Sequence, residues 1–206
     1  MKTRPDAPAT ARNKDAILEV LLFELRDCKT VFEIGSGTGQ HAVHFAGAMP
    51  WLEWQTADLP ENHPGILAWV EWANLPNLLP PRVFDAAVPP PVTGGADAVF
   101  SANTAHIMSM EEVEGMFDFV SRLLYPGGVF SLYGPFNEDG QFTSDSNEEF
   151  DASLRAQSPS MGIRDRLDLE KLAGRLGLSA VRRYSMPANN QILVWEKPLT
   201  PPFAKD

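Results

Sequence analysis

The stretch Glu33-Ile34-Gly35-Ser36-Gly37-Thr38-Gly39-Gln40 decides how the rest of the chain is interpreted. It ends a short β-branched and aromatic run, Thr30–Ile34, that predicts a buried strand, and it leads into a helical pattern over Gln40–Ala48. Glycine tolerates positive φ and lets a ligand approach the backbone closely, so a glycine-rich turn in this context is typical of a nucleotide-binding loop. A tight turn that needs glycine only for packing is the alternative.

The spacing of the glycines separates the possible cofactors. A dinucleotide fingerprint, G-x-G-x-x-G, requires glycine or alanine where this chain has Gln40, which disfavours a nicotinamide oxidoreductase. A P-loop requires a Gly-Lys-Ser/Thr sequence, and no lysine lies near this loop. Instead three glycines alternate with other residues, and the acidic Glu33 lies two places before the first of them.

Strands and helices alternate along the remaining chain. Seven strands are predicted, over Thr30–Ile34, Leu52–Ala57, Arg82–Phe84, Ala96–Ser101, Val129–Tyr133, Ala180–Ser185 and Ile192–Trp195. Six helices are predicted, over Asn13–Leu25 with Asn13 as N-cap, Gln40–Ala48, Ile66–Ala73, Met110–Leu124, Asn147–Gln157 and Leu169–Leu176. We therefore expect an α/β fold: a single-domain, Rossmann-like, doubly wound sheet of seven strands, mostly parallel, with an antiparallel C-terminal hairpin turning at Pro187–Asn190. Such sheets bind ligands at the carboxyl ends of their strands.

Composition sets the limits on partners and location. The 206 residues fit one domain, predicted over residues 11–198 between an N-terminal tail, 1–10, and a C-terminal tail, 199–206. With 17 basic and 27 acidic side chains the formal net charge is −10, which argues against a broad nucleic-acid-binding surface. The start lacks a signal-peptide core, and no apolar stretch reaches the roughly 20 residues that cross a bilayer. The lone Cys28 cannot form an internal disulfide, so we expect a cytoplasmic protein that does not act at a membrane.

Acidic and polar residues follow the other predicted strands in order. Asp58 comes after the second strand, about twenty residues beyond the glycine loop, where an acidic group accepts hydrogen bonds from ribose hydroxyls. Asp85 follows the third strand, and Ser101-Ala102-Asn103 ends the fourth. Each position also has an ordinary explanation, because aspartate after a strand is a common turn former or helix cap.

Taken together, these landmarks resemble those of class I S-adenosylmethionine-dependent methyltransferases. The glycine loop resembles motif I, written (D/E)-x-G-x-G-x-G, and Tyr125-Pro126-Gly127-Gly128-Val129 resembles the L-x-P-G-G turn before the fifth strand. Longer stretches resemble a family of small methyltransferase-like proteins catalogued as a domain of unknown function, a resemblance that runs from about Ala7 to Pro198. These stretches are Ala11-Arg12-Asn13-Lys14-Asp15-Ala16-Ile17, Ser101-Ala102-Asn103-Thr104-Ala105-His106-Ile107, Gly134-Pro135-Phe136, Asn147-Glu148-Glu149-Phe150-Asp151 and Gly162-Ile163-Arg164-Asp165.

The resemblance implies S-adenosylmethionine as the cofactor. The expected contacts with it come from Arg12, Glu33, Gly35, Ser36, Gly37, Gly39, Asp58, Leu59, Asp85, Ala86, Ser101 and Asn103. Among them, Asp85 resembles the acidic residue that contacts the adenine amino group. Arg12 is the candidate partner of the cofactor carboxylate, since guanidinium pairs bidentately with carboxylates, unless it is an exposed arginine or pairs with Asp15.

The candidate catalytic and substrate-binding residues lie at or beyond the ends of the fourth and fifth predicted strands. His106 is the candidate general base, unless its ring only bonds to backbone, and Asn103 is expected to orient the substrate or the cofactor amino group. Tyr133 and Phe136 are expected to wall the substrate pocket, although both also suit an ordinary core. Arg164 is a candidate for recognising an anionic substrate, unless neighbouring acidic residues neutralise it.

Three further features bear on function. Residues 137–146 are either a mobile lid or a solvated acidic loop. His41 and His44 lie three apart on one predicted helix, but no third ligand is evident, so no metal site is expected. The predicted function is methyl transfer from S-adenosylmethionine to oxygen or nitrogen of a small-molecule substrate, with no nucleic-acid partner. A non-catalytic cofactor-binding or scaffold protein is the alternative, and the oligomeric state stays open.

Overall fold

Seven strands form a single twisted sheet in the computed structural model, which describes residues 4–92 and 95–199. The helices are α1 (Pro8–Glu24), α2 (Gln40–Ala48), α3 (His63–Ala73), α4 (Met110–Leu123), α5 (Asp145–Gln157) and α6 (Arg166–Arg175), with a 3₁₀ turn over Pro60–Asn62. The strands are β1 (Thr30–Ile34), β2 (Glu53–Asp58), β3 (Leu78–Val83), β4 (Ala96–Ala102), β5 (Leu124–Gly134), β6 (Phe136–Asn137), β7 (Arg164–Asp165), β8 (Ser179–Met186) and β9 (Asn190–Glu196).

The strand order in the main sheet is β3-β2-β1-β4-β5-β9-β8. The first five strands pair in parallel, whereas β9 is antiparallel to both β5 and β8. The last two strands form a hairpin, in which Ala188 and Asn189 both take positive φ, as a tight two-residue turn requires. This arrangement confirms the fold class predicted from the sequence.

The chain direction across the sheet reverses between β1 and β4. From β1 the chain moves outward to β2 and β3, then returns to place β4 on the other side of β1. Crossover loops therefore leave the carboxyl ends of β1 and β4 in opposite directions, and the crevice between them is where doubly wound sheets bind ligands.

Apolar residues alternate between the two faces of the sheet and build a core on each. On one face Phe117 of α4 and Leu169 of α6 pack with strand residues such as Phe130. On the other face Leu21 of α1 and Phe45 of α2 pack with buried apolar residues of the strands. The sheet is thus covered on both sides, as its mostly parallel strands require.

Several predicted boundaries are wrong by three or more residues, and two of them have a clear physical reason. β3 begins at Leu78 and runs through Pro80-Pro81, whereas the predicted strand begins at Arg82. The reason is that β3 lies at the edge of the sheet, where the missing amide of proline is tolerated. The first helix begins at Pro8, which suits a first helical turn, and not with Asn13 as N-cap.

The outer parts of the chain are only partly described. Residues 8–10 of the predicted N-terminal tail are helical, and Thr10 is buried. Residues 1–3 of that tail and 200–206 of the C-terminal tail lie outside the described residues, so the domain boundaries stay predictions. Within the described ranges, every helix is too short or too polar to cross a bilayer.

The short strands β6 and β7 form a separate parallel pair that was not predicted. Phe136 pairs with Arg164 and Asn137 with Asp165. The pair brings the segment after α5 back against the end of β5, close to the loops that follow the parallel strands.

Candidate functional site at the carboxyl ends of the strands

The glycine loop is held against the end of β2 by its backbone. The amides of Gly35 and Ser36 both donate to the carbonyl oxygen of Ala57, at 2.9 and 3.1 Å. Gly35, Gly37 and Gly39 have φ of +72°, +57° and +89°, a region that side chains with Cβ atoms rarely adopt. The alternating glycines are therefore required by the course of the chain.

Each glycine meets a different environment. A Cβ atom on Gly35 would lie 2.5 Å from Cγ2 of Thr104, and one on Gly39 would lie 3.1 Å from Cα of Ile66. A Cβ atom on Gly37 would meet no atom within 4 Å, because this residue faces open space. Crowding adds to the requirement for glycine at Gly35 and Gly39, whereas only the positive φ requires it at Gly37.

Glu33 supports the loop from inside the protein. Its Oε2 accepts hydrogen bonds from Ser36 Oγ at 2.9 Å and from Trp54 Nε1 at 3.0 Å, and Ser36 Oγ in turn accepts from the amide of Ala57 at 3.1 Å. Burial raises the pKa of the Glu33 carboxyl to about 7, against the lowering effect of its two donors. The Glu33 and Ser36 side chains shape the loop without lining the cavity in front of it.

That cavity has a volume of about 340 Å³ and lies beyond the ends of β1, β2 and β4. It is lined by Ile34, Gly35, Gly37, Asp58, Leu59, Asn62, Phe84, Asp85, Ala86, Ala102, Asn103, Thr104, Ile107, Met108 and Glu112. Three of these residues are acidic, and none of the described lining residues is basic. Apolar side chains make up much of the remaining wall. The site suits a ligand with an apolar body, hydroxyl groups and positive charge better than one with phosphates.

Asp58 is the most fully engaged polar residue of the cavity. Its Oδ2 accepts from the amide of Gly37 at 2.6 Å, and its Oδ1 accepts from the amide of Leu59 at 2.7 Å and from Asn62 Nδ2 at 2.8 Å. The carboxylate is thereby fixed at the mouth of the glycine loop, and its contact with ribose hydroxyls stays a prediction. Asn62, on the 3₁₀ turn, was not predicted.

Asp85 and Ala86 line the same cavity from the loop after β3. Asp85 Oδ1 accepts from the amide of Ala87 at 2.9 Å, an Asx turn that fixes the direction of the loop. Any Cβ atom on Gly115 of α4 would collide with the carbonyl oxygen of Ala86, so a glycine in this helix allows the loop to lie close.

The end of β4 contributes two residues with different roles. Ser101 is fully buried, and its Oγ donates to the carbonyl oxygen of Ile34 at 2.7 Å and shares a 2.7 Å hydrogen bond with Thr104 Oγ1. It joins β1 to β4 and does not line the cavity. Asn103 does line it, with a left-handed φ of +59° and its amide bonded to the carbonyl oxygen of Tyr133.

Several residues predicted to be in the site lie away from this cavity. The His106 ring packs edge-to-face on Phe150, with 5.2 Å between ring centroids. Burial, with a smaller effect of the nearby Arg164 charge, lowers the pKa of His106 to about 4. Tyr133 bonds to Asn13 and packs in the core under α1 and α2, while Phe136 packs in the core on the opposite face.

Two predicted arginines are also outside the lining. Arg12 is exposed on α1. Arg164 is buried, and its guanidinium donates to the backbone carbonyl oxygens of Ala105, Met108 and Ser160. These hydrogen bonds hold Nε and Nη2 against the backbone, and the predicted role of Arg164 in recognising an anionic substrate stays a prediction.

Eight lining residues were not predicted: Ile34, Asn62, Phe84, Ala102, Thr104, Ile107, Met108 and Glu112. Glu112 carried a usable signal, since Ser109-x-x-Glu112 reads as a capping box and both of its hydrogen bonds form at the start of α4. The apolar members have no motif that separates them from core residues.

Gln40 has a structural role that explains its departure from the dinucleotide fingerprint. Its Oε1 accepts from the amide of Ala7 at 2.6 Å and from Thr38 Oγ1 at 3.0 Å, and its Nε2 donates to Asp6 Oδ1 at 2.7 Å. The start of α2 is therefore tied to the segment that precedes α1.

Residues 137–146 are held by several contacts. Glu138 pairs with Arg166 and Arg183, and the amide of Gly140 donates to Asp165 Oδ2 at 2.6 Å. Their role as a lid stays a prediction.

His41 bonds to Asn13 Oδ1 at 2.8 Å. Across residues 4–92 and 95–199, no group of three histidine, cysteine, aspartate or glutamate side chains could hold a metal ion.

Comparisons with known proteins agree with this architecture. A family model described as "Protein of unknown function (DUF938)" matches residues 4–197. The fold is similar to that of the S-adenosylmethionine-dependent methyltransferase SibL in its apo form, with a TM-score of 0.78 at 20% identity, over 92% of this chain and 56% of that one. It is also similar to an O-methyltransferase family protein from Burkholderia thailandensis, with a TM-score of 0.76 at 18% identity, over 92% and 57% of the two chains.

Human N-acetylserotonin methyltransferase, solved in complex with S-adenosylmethionine, is a third structure of this kind. Its TM-score is 0.74 at 14% identity, over 92% of this chain and 58% of that one. The chain thus spans little more than half the length of these structures, and at such identities the likeness establishes the class I methyltransferase fold.

Proposed function

Because the chain belongs to the DUF938 family and has the class I methyltransferase fold, we propose that it binds S-adenosylmethionine and transfers its methyl group to a small molecule. The observation that carries the proposal is the composition of the cavity. It combines the uncrowded position of Gly37, the fixed carboxylate of Asp58 and a second carboxylate at Asp85, and its described lining has no basic side chain. A cofactor with hydroxyls and positive charge fits that lining, because carboxylates accept hydrogen bonds from hydroxyls and attract cationic groups.

Three groups of lining residues are proposed to hold the ribose, the adenine ring and the amino acid end of the cofactor. Asp58, with Asn62 beside it, would accept from the ribose hydroxyls. Asp85, Ala86 and the apolar side chains of Ile107 and Met108 would enclose the adenine ring. The backbone at Gly35 and Gly37, with Asn103 opposite, would hold the amino acid end.

When bound, this cofactor supplies a methyl group on an electrophilic sulfonium. The protein's own contribution is then mainly to orient the acceptor and to exclude water, since alignment in a dry pocket accounts for much of such a reaction. Fixed carboxylates around the cavity complement the positive charge of the cofactor, and Asn103, held in a left-handed conformation, is placed to orient either the acceptor or the cofactor amino group. Oxygen or nitrogen is the proposed acceptor atom.

His106 is the proposed general base. Its lowered pKa leaves the imidazole neutral at cellular pH, as a base must be, but also makes it a weak one. The ring packs on Phe150 and does not line the cavity, so the role requires an acceptor that reaches outside the cavity lining. Arg12, which is exposed on α1, stays the proposed partner of the cofactor carboxylate, whereas the buried positions of Tyr133 and Phe136 favour a role in the two cores.

Two measurements test the proposal. Calorimetric titration with S-adenosylhomocysteine is expected to show binding to the wild-type protein and weaker binding to Asp58→Asn. The wild-type protein is expected to transfer more radiolabelled methyl groups from S-adenosylmethionine to a metabolite extract than Asp58→Asn does.

The second candidate function, a non-catalytic cofactor-binding or scaffold protein, is separated from the first by the transfer assay. It is favoured by one observation, the packing of His106 outside the cavity lining. Binding without incorporation would support it, and absence of binding would contradict both.

A further inference from the structure

The turn after β4 forms one wall of the cavity, and it is held from behind. The amides of Ile107 and Met108 both donate to the carbonyl oxygen of Thr104, which makes residues 104–108 a compact turn. Thr104, Ile107 and Met108 line the cavity, and Ile107 is 49% exposed. Thr104, Ala105 and His106 are buried, whereas Ile107 is exposed and Met108 is only partly buried, so the position of these last two depends on what the backbone of the turn contacts.

Arg164 supplies most of that contact. It is 9% exposed, and its Nε donates to the carbonyl oxygen of Ala105 at 3.0 Å. Its Nη2 donates to the carbonyl oxygens of Met108 and of Ser160, the latter at 2.7 Å. One planar guanidinium thus joins both ends of the 105–108 turn to the segment that follows α5.

The segment that carries Arg164 is itself fixed. The amide of Gly162 donates to the carbonyl oxygen of His106 at 2.9 Å, and the amide of Ile163 donates to Asp151 Oδ1 at 2.7 Å. The other oxygen of Asp151, a 5% exposed residue of α5, accepts from Arg155 Nε at 2.6 Å. A Cβ atom on Gly162 would lie 2.8 Å from Asp151 Oδ1, so glycine is needed for this approach.

We infer that Arg164 is a positioning residue for the cavity, fixing the turn that carries Ile107 and Met108 rather than binding substrate. Through Asp151 and Gly162, α5 and the loop after it act as a brace behind the nucleoside end of the site. The role of Arg164 in holding the turn does not depend on which ligand binds, whereas its effect on cofactor affinity rests on the proposed function.

The arginine is suited to this position for two reasons. Three backbone carbonyls in one buried place need several donors in fixed directions, and a guanidinium provides five N–H groups in one plane. Lysine provides a single ammonium, whose donors diverge from one atom, and cannot match carbonyls from two segments in the same way.

The test compares Arg164→Met with Arg175→Met, a matched removal of an arginine that is 67% exposed on α6. Hydrogen exchange of the amides of residues 104–108 is expected to rise at least tenfold in Arg164→Met and to stay unchanged in Arg175→Met. This readout requires no ligand, so it tests the brace even if the cofactor assignment fails. Wild-type exchange in Arg164→Met would overturn the inference.

Ligand affinity gives the second readout. The dissociation constants of S-adenosylhomocysteine and of 5′-methylthioadenosine, which lacks the amino acid end, are expected to rise by a similar factor of about ten in Arg164→Met, because the defect is at the nucleoside end. An effect on S-adenosylhomocysteine alone would overturn the inference. If neither compound binds the wild-type protein, it is the proposed function that fails, and hydrogen exchange still decides the role of Arg164.

Arg164→Lys provides the test if Arg164→Met does not fold. It keeps the charge and loses the fixed directions of the donors, so exchange in residues 104–108 is expected to rise while the unfolding temperature stays near that of the wild type. Exchange and affinity equal to those of the wild type in this variant would overturn the inference.

Discussion

The carboxylate of Asp58 accepts a hydrogen bond from the backbone amide of Gly37, with 2.6 Å between Oδ2 and the nitrogen. The contact joins the end of β2 to the glycine loop after β1. The positions of Gly37 and Asp58, two candidate cofactor contacts, therefore depend on each other, and replacing either residue is expected to affect both.

Replacing Asp58 with asparagine tests this dependence. The carboxylate accepts from three N–H groups on its two oxygens, and asparagine has only one oxygen, so in either orientation its NH₂ group faces a donor. We expect a loss of about 1–3 kcal/mol in the free energy of unfolding and at least a tenfold weaker affinity for S-adenosylhomocysteine. Calorimetry and denaturant titration measure the two, with Glu61→Gln on the exposed neighbouring turn as the control; equal affinity in both variants would contradict the assignment.

A comparison of two glycines separates backbone strain from crowding. Gly35 and Gly140 have nearly equal φ, +72° and +74°, but a Cβ atom on Gly35 would lie 2.5 Å from Thr104 whereas one on Gly140 would meet nothing within 4 Å. Alanine at either position costs about 1–2 kcal/mol for the left-handed conformation. We expect Gly35→Ala to cost about 1–3 kcal/mol more because of the collision. Urea unfolding of both variants checks this, and equal losses would contradict the close packing of the loop on Thr104.

The buried carboxyl of Glu33 makes stability depend on pH. Its pKa rises from 4.5 to about 7 on folding, so the folded protein binds more protons than the unfolded chain between these values. Stability from this group is therefore present below pH 4.5 and is lost as pH rises to about 7, by about 3 kcal/mol at most. Glu33→Gln keeps an acceptor for Ser36 and Trp54 but cannot ionise. We expect the difference in unfolding free energy between wild type and variant to fall across this window and to be flat above it; a constant difference would contradict the burial effect.

Replacing His106 tests its role as general base. If it is the base, His106→Ala and His106→Gln are expected to lower turnover by about a hundredfold. The wild-type rate should then decline only as pH falls toward 4, because burial lowers the pKa of this imidazole. Steady-state rates between pH 4 and 9 measure both effects. Turnover equal to that of the wild type would remove His106 from the reaction and leave its ring as a packing partner of Phe150.

The sequence was sufficient for the parts of the site made by backbone and by strand ends. The alternating glycines and Asp58 were identified because positive φ and a carboxylate after a parallel strand have clear sequence signals. The edge strand β3 was shortened because a Pro-Pro pair indicates a boundary until the position of the strand in the sheet is known.

The directions of several side chains could not be predicted from the sequence. Arg164, Tyr133 and Phe136 are polar or aromatic residues near the right strand ends, yet they turn toward backbone carbonyls or the core. Ile107 and Met108 look like core residues and line the cavity instead. These directions depend on contacts between segments far apart in the chain, such as the one between residue 164 and the turn at 105–108.

The hydrogen bonds from Gln40 to Asp6 and Ala7 have a practical consequence for protein production. An affinity tag fused ahead of residue 1 adds mass and charge only a few residues from the anchor of the helix that follows the glycine loop. Binding measurements on such a fusion would report on the tag as well as on the protein, so cleavable tags and an untagged reference sample belong in every titration.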